Sequence, residues 1–94
     1  MPNRIEQLRE HLAVLQPTQL DIADDSHLHA GHAGARSGGG HYRLSIVSAQ
    51  FVGKPTLERH RMIYSALHEM MRHDIHALNI SAYAPDEVQP ENFR

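Results

Sequence analysis

The sequence predicts an α+β domain: a three-stranded sheet with helices packed on one of its faces, in the order α-β-β-α-β followed by a short closing helix. Three observations predict it. Ile5, Leu8, Leu12 and Leu15, and then a longer set between Leu57 and Met71, recur at helical spacing. Segments 18–24, 42–47 and 75–83 instead read as strands, the first two by alternation with a period of two. Finally, the 94 residues suffice for one domain with one modest core, so the strands must share a single sheet.

The first helix is expected over about residues 3–15, because Arg4, Glu6, Gln7, Arg9 and Glu10 fill the polar side and Pro17 stops it. Thr18–Asp24 follows as a strand with Leu20 and Ile22 on the buried face. In the next strand Tyr42, Leu44 and Ile46 alternate with Arg43, Ser45 and Val47, and the two strands read as an antiparallel pair. Phe51-Val52-Gly53-Lys54-Pro55 is a turn, with Pro55 suited to open a helix. That second helix is expected to run to about His73. A wheel puts Leu57, Ile63, Tyr64, Leu67, Met70 and Met71 on its apolar arc, with His60 inside that arc. Ile75–Tyr83 makes the third strand, Pro85-Asp86-Glu87-Val88 a short last helix, and residues 89–94 a frayed tail. The core therefore spans about residues 3–88 of a single domain.

Between the first two strands lies SHLHAGHAGARSGGGH, which holds His27, His29, His32 and His41 among five glycines. Hairpin loops usually run about 2–5 residues, and an insertion this long is either functional or disordered. Neutral imidazole binds transition metals, so His29 and His32, three apart, are metal candidates; the competing reading is a merely polar loop. The chain has nine histidines and no cysteine, which removes disulfides, thiolate catalysis and any self-sufficient thiolate metal site. His60 lies in the early turns of the second helix, where the helix dipole and the apolar side both favour the neutral ring. A buried structural histidine is the competing reading there.

Other functions find little support. A net charge of −2 argues against strong nonspecific binding of nucleic acid. No apolar stretch is long enough to span a membrane, and MPNRIEQLREHL has no apolar signal core, so a cytoplasmic protein is expected. No Ser, Cys or Lys stands in a nucleophile motif, the Gly53 turn lacks the phosphate-loop pattern, and Asp24 and Asp25 are adjacent, so their side chains diverge along a strand. An enzyme is not expected. Lys54, Arg59, Arg61 and Arg72 against Glu58 and Glu69 leave a modestly basic second helix, which reads as a surface for phosphates or an acidic partner, or as an ordinary solvated face.

Phe51-Val52-Gly53-Lys54-Pro55 followed by Glu58-Arg59-His60-Arg61-Met62-Ile63-Tyr64 resembles the signature of the BolA family. The resemblance extends through Asp25-Ser26-His27-Leu28-His29, residues 41–48, Ile75-His76-Ala77-Leu78 and Pro85-Asp86-Glu87, and covers roughly residues 5–88. It implies a fold like the type II KH domain and a role in iron–sulfur cluster trafficking. The implied partner is a monothiol glutaredoxin, with which the chain would share a bridging 2Fe–2S cluster, glutathione being supplied by that partner. The histidine of the Arg-His-Arg block, His60, is the implied common ligand, and His29 the implied loop ligand, with His32 as the alternative. On the basic face of the second helix Lys54, Arg59 and Arg61, and in the third-strand region His76, are the expected partner-binding residues. A cluster needs four ligands, mostly thiolates, so a chain without cysteine offers half a site. Some relatives are linked to transcription, which makes a KH-like DNA-binding transcriptional regulator, with weak DNA binding, one alternative; metal binding by the histidine-rich loop alone is the other. KH domains clamp nucleic acid with a Gly-x-x-Gly loop between helices, and the glycines here do not fall there.

Overall fold

A computed structural model describes residues 3–26 and 40–88. Helix α1 spans Arg4–Leu12, and its first turn is capped by the Asn3 side chain accepting from the Glu6 N–H at 2.9 Å. It tightens into a 3₁₀ turn over Ala13–Leu15, earlier than the expected single helix to Leu15, and Gln16 leaves it in a left-handed conformation (φ 52°). Strand β1 (Gln19–Asp24) then pairs antiparallel with β2 (Gly40–Val47), as the alternation predicts. Helices α2 (Thr56–Leu67) and α3 (Glu69–His73) carry the chain back over the sheet to β3 (Ile75–Tyr83). β3 pairs parallel with β2, so the sheet order is β1-β2-β3 and the fold is the predicted α+β arrangement. The closing helix is a 3₁₀ turn over Pro85–Glu87.

The core lies between the helices and one face of the sheet. Leu8, Leu12 and Leu15 meet Tyr42, Leu44 and Ile46 of β2 and Phe51, Ile63, Leu67 and Met70 of the helical return. The second helix departs from expectation in two ways. It is not continuous: His68 takes φ 28° and ψ −97°, ending α2 and starting α3. No glycine or proline marks that break, so the apolar period runs through it unaltered. The buried arc is the expected one only in part: Ile63, Leu67 and Met70 are buried and Met71 packs against the core. Leu57 (61%) and Tyr64 (41%) are exposed, while Arg59 is buried at 9%.

The physical reason lies in what Arg59 can reach. Its Nε donates to the Lys54 carbonyl at 2.7 Å, and Nη1 to the Ala82 carbonyl at 3.1 Å. The fork of the guanidinium also grips the Glu87 carboxylate, with Nη2 to Oε2 at 2.8 Å. A buried cation is tolerated when paired and hydrogen-bonded to this degree. The helix is therefore turned so that its Arg59 edge faces inward and its Leu57 edge faces out.

Candidate functional site

The stems of the histidine-rich segment are tied down residue by residue. On the β1 side, the Asp24 carboxylate accepts the Ser26 N–H at 2.9 Å, and the Asp25 N–H donates to the His41 carbonyl at 2.8 Å. On the β2 side, the His41 N–H donates to Ser26 Oγ at 3.0 Å, and the Gly40 N–H to the Asp74 carbonyl at 3.0 Å. Arg43 closes the base with its Nε on Asp25 Oδ2 at 2.9 Å. Gly40 is closely packed here: a Cβ would stand 2.5 Å from the ring of Tyr42, itself buried. The Tyr42 hydroxyl is pushed above its ordinary pKa chiefly by that burial, so it stays neutral.

Parallel pairing puts the starts of β2 and β3 at the same end of the sheet. The register is irregular there: Gly40 lies opposite Ile75 and His41 opposite Ala77, leaving His76 as an extra residue in β3. This bulge brings two imidazoles together. The rings of His41 and His76 have centroids 5.1 Å apart and planes tilted by 49°. His76 is exposed and His41 half-buried.

Next to them a cleft of about 530 Å³ is lined by Asp25, His41, Arg43, His60, Leu78 and Ile80, among others. His60 reaches it from α2, half-buried, its ring set edge-on to Tyr64 with centroids 6.5 Å apart. So His60 and His41 share a cleft, and His41 and His76 share a ring contact. Among the described residues no three His, Asp or Glu side chains group closely enough to hold a metal ion. His29 and His32 lie outside the described residues. Their segment leaves and re-enters the fold at Ser26 and Gly40, beside His41. The cleft thus offers imidazoles and the Asp25 carboxylate, which Arg43 already holds, but no thiolate, which fits a half-site and not a closed one.

The expected partner-binding residues divide. Lys54, Arg61 and His76 are exposed, with Arg61 ion-paired to Glu58 at 3.0 Å. Arg59 is not on that surface, since its guanidinium is spent inside the fold. Sequence reasoning also missed the closeness of His41 and His76. The signal was present, as each stands within the first two residues of its strand, but it needs the parallel register to be read.

Residues 12–87 match the family model described as BolA-like protein. Among curated relatives, the chain is 43% identical over 79 residues to SufE-like protein 1, chloroplastic/mitochondrial, of Arabidopsis thaliana, covering 79% of this chain and 21% of that protein. It is 40% identical over 83 residues to the DNA-binding transcriptional regulator BolA of Escherichia coli, covering 87% of this chain and 76% of that one. The chain thus spans about a fifth of the plant protein's length and about three quarters of the bacterial one's. Among solved structures, BolA1 from Arabidopsis thaliana superposes with a TM-score of 0.81 at 38% identity, over 95% of this chain and 99% of that chain. No helix of the described residues is long and apolar enough to cross a membrane.

Proposed function

This chain belongs to the BolA-like protein family, and on that premise we propose that it is an adaptor in iron–sulfur cluster trafficking. It pairs with a monothiol glutaredoxin and takes one side of a 2Fe–2S cluster, its cargo, through histidine. The observation that carries the reading is the pair of imidazoles at the base of the histidine-rich segment, in a chain that has no cysteine. Such a chain supplies nitrogen ligands, and thiolates must come from the partner and its glutathione.

Two histidines of the folded body compete for the body's ligand position. The family resemblance points to His60. The geometry favours His76, which is exposed, stands at the bulge and touches the residue next to which the segment bearing His29 and His32 re-enters. His60 is half-buried on α2 across the cleft. The second ligand comes from His29, or from His32 in its place.

Mixing the protein with cluster-loaded monothiol glutaredoxin and following visible absorption and circular dichroism tests the reading. Wild type is expected to change both spectra, His76→Ala and the double variant His29→Ala, His32→Ala to abolish the change, and His60→Ala to preserve it. Loss with His60→Ala and not with His76→Ala would return the body's ligand to His60. No spectral change with wild type would end the cluster reading.

A second reading is DNA binding, which the name of the Escherichia coli relative carries. Against it stand the −2 net charge and the engagement of Arg43 with Asp25 and of Arg59 with Glu87. Affinity for duplex DNA that falls steeply between low and moderate salt would support it.

A further inference from the structure

We propose that His41 is a positioning residue, its ring forming the surface against which His76 is oriented for ligation. The inference rests on the reading of His76 as a ligand. A histidine exposed on a strand is free to sample several staggered χ1 wells, and a metal selects one of them. Each side chain immobilised on binding weakens association unless it is already held in place.

His41 is well placed to hold it. Its own backbone is fixed twice, by the Ser26 hydroxyl on its N–H at 3.0 Å and by the Asp25 N–H on its carbonyl at 2.8 Å. Asp25 is fixed in turn by Arg43. The side chain is half-buried on β2, whereas that of His76 is exposed on β3. The extra residue in β3 carries His76 to this fixed ring and leaves it at 5.1 Å with a 49° tilt, within the range in which aromatic rings attract. In this arrangement His76 packs on the ring of His41, a face that phenylalanine retains and alanine lacks.

Two readouts test this. On the protein alone, the imidazole resonances of His76 are followed by NMR in wild type, His41→Ala and His41→Phe, with the strand amides confirming that each variant folds. His41→Ala is expected to move the His76 ring protons toward free-histidine positions, and His41→Phe to keep them displaced. With cluster-loaded monothiol glutaredoxin, His41→Ala is expected to raise the half-saturating concentration about three- to tenfold without altering the final dichroism spectrum, and His41→Phe to restore it. Unchanged His76 resonances in His41→Ala would overturn the positioning role while leaving the ligand reading intact. A spectrum lost in both His41→Ala and His41→Phe would also overturn it, by making His41 a ligand. An unaltered spectrum in His76→Ala would instead overturn the ligand reading, and the positioning role with it.

Discussion

Arg59 and Glu87 form a two-pronged ion pair that joins the second helix to the turn after the last strand, with Nη2 and Oε2 at 2.8 Å. The same guanidinium holds the carbonyls of Lys54 and Ala82, so one side chain ties together the entry to α2, the end of β3 and the closing turn. Arg59→Ala strands two carbonyls and a carboxylate at once. Thermal unfolding followed by circular dichroism should show a midpoint lower by roughly 5–15 °C. Arg59→Lys should recover only part of the loss, since an ammonium cannot reproduce the fork. Full recovery by lysine would show that charge alone matters there.

The pair also sets an acid limit. Glu87 is held at about 2, below its ordinary value of 4.5, first by the Arg59 hydrogen bonds and then by the Ala84 N–H. A lowered carboxyl contributes its stability in full above its unfolded pKa and loses it as pH falls toward the folded one. The difference in midpoint between wild type and Glu87→Gln should therefore be constant at neutral pH and shrink between about pH 4.5 and pH 2. A difference that does not shrink would place the effect elsewhere than in the ionised carboxylate.

Ser48 is fully buried and donates its hydroxyl to the Leu15 carbonyl while accepting the Gln50 N–H at 3.1 Å. Ser48→Ala leaves that carbonyl buried without this donor, at a cost of about 1–3 kcal/mol. Chemical denaturation should show a lower midpoint with an unchanged slope.

Gly40→Ala brings a methyl group to 2.5 Å from the Tyr42 ring, which the core holds in place. Overpacking of this kind costs about 1–3 kcal/mol. The variant should unfold at lower denaturant and show displaced amide resonances at His41 and Ser26, the residues of the same clamp. A silent substitution would mean that the tyrosine can swing aside.

A histidine-to-cysteine exchange probes ligation from the other direction. If His76 binds the cluster, His76→Cys keeps a ligand but replaces imidazole by thiolate. The reduction potential of the shared cluster should fall and its dependence on pH weaken, as seen when thiolate replaces imidazole on such iron. Electrochemistry of the complex across pH 6–9 reads both. An unchanged potential would remove His76 from the ligand set.

The fold was legible because its signals are local. The alternation of Tyr42, Leu44 and Ile46 and the spacing of Leu8, Leu12 and Leu15 match the residues that are buried, and the bounds of β3 fall at Ile75 and Tyr83 as expected. One edge of the α2 face departs from the expected arc because hydropathy counts Arg59 as a surface residue. Its burial depends on Lys54, Ala82 and Glu87, the last two more than twenty residues away in the chain. The break at His68 is likewise a tertiary effect with no breaker residue to announce it. Composition alone singles out the histidine-rich segment, whereas His76 reads from the sequence only as a side chain of the third strand and a partner contact. Only the parallel register and its one-residue slip place that ring beside His41.

That register has a consequence for durability. The two imidazoles are spaced by the hydrogen-bonded ladder between β2 and β3. The spacing therefore melts only when the ladder melts. A ring pair anchored this way inherits the durability of the sheet.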